Sequence, residues 1–169
     1  MACSKFAAIH AAMTWRRDTK IKDMHPVLKK YNEVNAFGKL LGLTLEVIRP
    51  GEVEYRMEIK EEHLSNPMAA HGGAISAMMD AILGVAALSL AVEKDKLVST
   101  VEFKLNYYAP IKRGDKLYGL GKVTFEGNRL ISSEGTIFIE NAEGKVVSKG
   151  LGTFNAYPVA KNPMLKQES

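Results

Sequence analysis

Two periodicities of apolar positions divide the chain into a helical start, a long apolar centre, and strands on both sides of it. Val27, Leu28, Tyr31, Val34, Phe37, Leu40 and Leu41 recur at spacings of three and four, which gives one apolar helical face. Pro26 suits the first turn and Gly42 the stop, so the spacing predicts a helix over 26–41. The period then falls to two. Leu43, Leu45 and Val47 alternate with Thr44 and Glu46, and Pro50-Gly51 supplies a turn. Val53, Tyr55, Met57 and Ile59 alternate with Glu54, Arg56, Glu58 and Lys60, one dry face and one wet face, as in an antiparallel sheet. A loop over 61–70 carries His63, Asn66 and Pro67.

His71-Gly72-Gly73 opens an apolar run over 71–92, about 21 residues or roughly 31 Å of helix. It has no polar stripe, so it is predicted to be buried nearly all round. Its length alone would suit a membrane span. Asp80 in mid-run, Ser76 and Ser89, the absence of flanking aromatic belts and the strands that follow argue against one. Four alternating stretches come next, over 97–108, 117–125, 130–140 and 146–157, joined by short Gly/Asn connections that imply antiparallel neighbours. Wrapping one curved antiparallel sheet of about six strands around the helix buries both dry surfaces, an α+β architecture with an additional N-terminal helix. The sheet cannot cover every side of the helix, and a second copy of the chain is the expected cover.

Composition changes this picture little. With 169 residues, 46% hydrophobic and 25% charged, the chain suits one domain, expected over 24–158 with an extension at 1–23 and a disordered tail at 159–169. The net charge is +4, but residues 1–30 account for +5 of it and the remainder carries −1, so the folded body offers no nucleic-acid groove. The apolar stretch 6–13 precedes its basic residues, the wrong order for a secretory signal. Residues 1–17 lack acids and contain Arg, which leaves an organellar presequence open beside a simple extension. One cysteine, Cys3, and four histidines build neither a disulfide nor a closed zinc site, and a cytoplasmic setting without metal is expected.

The candidate chemistry gathers on the apolar run. Asp80 is its one acid. It is either hydrogen-bonded to a neighbouring loop or a general base or nucleophile with a tuned pKa. His71-Gly72-Gly73 lies at the helix N-terminus, where free N–H groups and the dipole point outward. Two glycines let a substrate oxygen approach the backbone, the geometry of an oxyanion hole, although the pair could also serve only to cap the helix.

Asn66, His71-Gly72-Gly73 and Asp80, with the strand from Val98 to Tyr107 and then Pro110, resemble the PaaI-type acyl-CoA thioesterases of the hot-dog, or 4-hydroxybenzoyl-CoA thioesterase, superfamily. The resemblance runs from about Phe37 to Tyr157. It implies a hot-dog fold and hydrolysis of an acyl-CoA without a cofactor, CoA being part of the substrate. In that reading the Gly72 N–H polarises the thioester carbonyl and Asp80 activates water or attacks directly. His71 and Asn66 hold the site, Gly73 admits the substrate, and Thr100 assists the water or the acid. Relatives place the loop Asn six residues before the His, with a Gly between; here Asn66 is five before it and no Gly intervenes. Strand parity sets Thr100 opposite Val101 and Phe103, facing away from its own helix. Lys112, Arg113 and Arg129 sit in loops where CoA phosphates could land, or are ordinary surface charge. His63 reads as solvated, Tyr107 and Tyr108 as packing. Nine residues at about 100° each turn Asp80 half a turn from His71 and roughly 13 Å along the helix, so a site using both is expected to be shared in a homodimer, or a dimer of dimers. A non-catalytic acyl-CoA-binding hot-dog protein and a hot-dog dehydratase or hydratase are the alternatives.

Overall fold

The computed structural model describes residues 24–161; the expected extension and the last eight residues of the expected tail lie outside the described residues. The predicted first helix is two: α1, Pro26–Val34, and α2, Ala36–Leu40. Asn35 breaks them. Its backbone leaves helical geometry, and its Oδ1 accepts from Gly38 N–H at 2.9 Å as the cap of α2. Gly42, at φ 67°, ends the pair in the left-handed region that glycine adopts without strain.

The strands β1, Thr44–Arg49, and β2, Glu52–Glu58, form a hairpin. A short 3₁₀ turn, Glu61–His63, leads into a small hairpin of β3, Leu64–Asn66, and β4, Ala69–Ala70. Then comes the long helix α3, Gly72–Ala91. Four strands complete the chain: β5, Lys96–Tyr107; β6, Lys116–Glu126; β7, Leu130–Ile139; and β8, Val146–Pro158. The main sheet is antiparallel throughout, in the order β1-β2-β6-β7-β8-β5. Its edges are β1 and β5. Val159–Lys161, expected as disordered tail, form a 3₁₀ turn tied by Val159 N–H to Asp95 O at 2.9 Å.

The sheet curves around α3, and the core is the interface between them. Ile75, Met78, Met79, Ile82, Leu83 and Ala86 of the helix are buried against Val53, Tyr55, Met57, Leu117, Ile137, Val147 and Phe154. Each large side chain so buried contributes about 1.5–3 kcal/mol. Glycines let the helix sit close. A Cβ at Gly121 would meet the Ile82 carbonyl oxygen at 2.7 Å, and one at Gly135 the Met79 sulfur at 2.8 Å. Gly121, Gly135 and Gly150 are successive cross-strand partners, so they form one flat row beneath α3.

Two burial expectations change. The helix is long and apolar enough to cross a membrane, and 67% of that stretch is buried inside the protein. It is not covered all round: Ala77, Asp80, Ala81 and Gly84 remain half-exposed. Glu54, predicted on the wet face of β2, is 4% exposed. Tyr118 Oη donates to it at 2.6 Å and the half-exposed Arg56 pairs with it at 2.5 Å, so the outer face carries a buried carboxylate with its partners.

Candidate active site

The head of α3 is built by its own first residues and by the end of β5. His71 caps the helix, with Nδ1 accepting from Gly73 N–H at 2.8 Å. In the neutral ring Nε2 therefore carries the proton. The Ala74 N–H bonds the His71 carbonyl at 3.0 Å, and the His71 N–H bonds the His63 carbonyl at 2.7 Å. The Gly72 N–H has no acceptor among the described residues, and Gly72 is exposed. A free, exposed N–H at the positive end of a 20-residue helix can donate to an oxygen that approaches it.

Tyr107, predicted as packing, belongs to this head. Its hydroxyl bonds the Gly72 carbonyl at 2.9 Å and Ser76 Oγ at 2.6 Å, and Ser76 Oγ also bonds the Gly72 carbonyl at 3.0 Å. Tyr107 ends β5, the edge strand that runs along α3.

Asp80 lies about 12 Å farther along the same helix than Gly72, as eight residues of rise require. Thr100 Oγ1 donates to its Oδ1 at 3.4 Å. This corrects the parity expectation for Thr100. Thr100 pairs with Phe154 and Glu102 with Thr153, so Val101 is an extra residue that bulges β5 and reverses the facing of what precedes it. Thr100 thus meets the Asp80 of its own chain. Burial raises the Asp80 pKa, and the Thr100 hydrogen bond opposes the rise. The charge of this carboxylate also reaches Tyr31 of α1. Burial raises its pKa, and the negative charge of Asp80 adds to the rise. Tyr31 Oη accepts from Asn35 Nδ2 at 3.1 Å; the buried Tyr55 hydroxyl senses it without meeting it in hydrogen-bond geometry. Tyr31 was legible only as part of an apolar stripe.

The remaining candidates sort by place. Asn66 is exposed and engaged with its own turn: Oδ1 accepts from Met68 N–H at 2.9 Å and Nδ2 donates to Ser65 Oγ at 3.1 Å. The five-residue spacing to His71 produces this tight hairpin, and within the chain Asn66 makes no hydrogen bond to Gly72. His63 is 3% exposed rather than solvated, its Nδ1 accepting from Lys60 N–H at 3.1 Å. Lys112 and Arg113 follow Ile111, whose carbonyl accepts from Ala70 N–H at 2.8 Å, which brings their loop to the head of α3. Arg113 pairs with Glu61 at 2.6 Å. Arg129 follows the Lys96–Asn128 contact near the far end of α3, away from Gly72 of the same chain. Among the described residues, no cluster of His, Cys, Asp and Glu could hold a metal ion.

Comparison with known proteins agrees with this geometry. Residues 69–145 match the family model of the thioesterase superfamily. The human acyl-coenzyme A thioesterase 13 is 26% identical over 133 residues, which span 78% of this chain and 93% of that protein. The Escherichia coli PaaI protein of the phenylacetic acid degradation operon superposes with a TM-score of 0.68 at 18% identity, over 77% of this chain and 90% of that one. A "hypothetical thioesterase protein" of Streptococcus pneumoniae, solved with coenzyme A, superposes at 0.65 with 21% identity, over 78% and 97% of the two chains. The chain has the hot-dog fold of these structures, and its likeness to the thioesterase superfamily over residues 69–145 and to acyl-CoA thioesterases supports a thioester hydrolase.

Proposed function

We propose that the protein hydrolyses acyl-CoA thioesters to a free acid and CoA. The observation that carries this reading is the unpartnered Gly72 N–H at the head of α3, in a chain whose fold neighbours include one solved with coenzyme A. The thioester oxygen docks on that N–H, whose dipole-backed charge stabilises the oxyanion as it forms. Asp80, deprotonated, takes a proton from the attacking water, or attacks the carbonyl carbon itself to form a mixed anhydride that water then cleaves to the free acid and the restored carboxylate. Thr100 holds the carboxylate or the water, and His71 offers Nε2–H to the substrate. The CoA thiolate leaves and is protonated to the thiol. No cofactor enters, and the setting is the cytoplasm. Lys112 and Arg113, at the head of α3, receive the CoA phosphates, with Arg129 of a second chain a further cation for them.

Two chains build each site. About 12 Å separates Gly72 from Asp80 within one chain, too far for both to act on one carbonyl. The half-exposed flank of α3 at Ala77, Ala81 and Gly84 and the open edge of β5 are surfaces a two-fold partner can cover, which would bring its Asp80 to this Gly72. Asn66 is free to turn toward such a shared site only if its own turn opens.

A panel of acyl-CoAs assayed for thiol release tests the activity. Release that depends on Asp80 is the expected result. Binding without turnover across the panel would identify a non-catalytic acyl-CoA-binding protein, and water loss from β-hydroxyacyl-CoA a dehydratase.

A further inference from the structure

Resting on the reading of the α3 head as the carbonyl-binding site, we propose that Tyr107 is a positioning residue of that site: through the Gly72 carbonyl it fixes the His71 imidazole as an Nε2–H donor. Three observations meet on one peptide unit. The Tyr107 hydroxyl lies 2.9 Å from the Gly72 carbonyl oxygen. The N–H of the same peptide unit, that of Gly73, donates to His71 Nδ1 at 2.8 Å. Ser76 Oγ lies 2.6 Å from the Tyr107 hydroxyl and 3.0 Å from the same carbonyl.

Proton accounting gives the direction. Two hydroxyls bring two protons to three short contacts, so at least one proton reaches the Gly72 carbonyl whichever way the pair is oriented. A hydrogen bond at an amide oxygen polarises the whole unit and strengthens its N–H as a donor. The stronger Gly73 N–H keeps Nδ1 as the acceptor and the ring proton on Nε2. The line from Tyr107 through Gly72 and Gly73 to His71 thus ties the last residue of β5 to the tautomer of the histidine at the helix head.

Packing adds to this. A Cβ at Gly72 would meet the Tyr107 hydroxyl oxygen at 3.3 Å and its ring at 3.5 Å. The phenol therefore covers the face of Gly72 where a side chain would stand, while Tyr107 is itself 52% exposed and keeps its other face open to whatever binds there.

The test reads the ring directly. In protein labelled with ¹⁵N at histidine, the two ring nitrogens of His71 report its tautomer, and a His71→Gln variant assigns the signals. The wild type is expected to show the Nε2–H form, and the double variant Tyr107→Phe/Ser76→Ala, which leaves the Gly72 carbonyl with neither hydroxyl, a mixture of both tautomers. His63, whose Nδ1 accepts from the Lys60 N–H, is the internal control and keeps its form in both proteins. Ser76→Ala leaves the Tyr107 hydroxyl with the Gly72 carbonyl as its partner, so His71 keeps the wild-type form there. With a hydrolysed acyl-CoA in hand, the double variant lowers kcat about fivefold to tenfold, the worth of one hydrogen bond, with KM little changed. An unchanged His71 tautomer in the folded double variant overturns the proposal whether or not the protein hydrolyses acyl-CoA. Absence of hydrolysis in the wild type alongside a shifted tautomer overturns the functional reading and leaves the positioning role standing.

Discussion

The Thr100 hydroxyl reaches the Asp80 carboxylate of its own chain at 3.4 Å because Val101 is an extra residue in β5. One bulge in an edge strand thereby brings a hydroxyl to the single acid on an apolar helix. Burial raises the Asp80 pKa and the Thr100 bond lowers it. An acid that acts deprotonated loses activity as pH falls through its own pKa. The acid limb of kcat/KM is therefore expected above the ordinary aspartate value of about 3.9. Thr100→Val removes the opposing bond and should move that limb to higher pH. A pH–rate profile of both proteins checks this; a limb that stays in place or moves down removes Thr100 from the control of Asp80.

The same shift makes a stability prediction of defined sign. A carboxyl whose pKa is higher folded than unfolded favours the folded state when protonated. Its cost to stability is absent below the unfolded pKa, grows as pH rises between the two values and is complete above the folded one. Asp80→Asn removes that cost while nearly conserving shape. The variant should melt at or above the wild-type temperature at pH 7, the gap closing in acid, while hydrolysis falls by about two orders of magnitude or more. A large drop in melting temperature with normal specific activity would make Asp80 a structural residue.

Gly72→Ala is expected to lower kcat/KM by about tenfold or more and to change the melting temperature little. Alanine is a better helix former than glycine, and α3 begins at this position. The added Cβ has to push Tyr107 aside by a few tenths of an ångström and crowds the approach to the free N–H. Steady-state kinetics with thermal melting separates the two effects. Wild-type turnover in this variant would place the oxyanion elsewhere.

How much of this was legible in the sequence differs by element, for physical reasons. Period-two patterns marked every strand of the main sheet, because alternation follows directly from which side faces the core, and α3 was marked by its unbroken apolar run. The break at Asn35 was not marked, since the apolar spacing continues through it; Asn followed three residues later by Gly38 is a capping signal that the periodicity hid. Parity counting placed Thr100 on the wrong face because a bulge carries no sign in a strand rich in β-branched residues. Tyr107 and Tyr31 reach the site through tertiary contacts alone: one from the end of β5, the other from a helix some fifty residues before Asp80. Glu54 read as solvent-facing because alternation cannot show that Tyr118, 64 residues away in sequence, would cover it.

The row of glycines beneath α3 offers a test of the fold apart from the chemistry. Gly121→Ala places a Cβ 2.7 Å from the Ile82 carbonyl oxygen, backbone that cannot swing away, and 3.2 Å from Val53. The expected loss is about 1–3 kcal/mol of stability by chemical denaturation. Gly114→Ala meets no atom within 4 Å but sits at φ 86°, so its smaller cost comes from backbone conformation alone. Equal destabilisation at both positions would mean that α3 does not press on β6 as described.

The composite site is tested most directly by restoring activity from two inactive chains. Asp80→Ala removes the acid, and Gly72→Val blocks the carbonyl site. If each site takes its helix head from one chain and its acid from the other, a mixed dimer holds one intact site and one doubly broken site. Random re-pairing makes about half of all dimers mixed, so co-expressed or co-refolded variants should recover about a quarter of wild-type thiol release. A mixture as inactive as its parents, with mixed dimers demonstrated by differential tags, would contradict the shared site and return Asp80 to its own chain or out of the reaction.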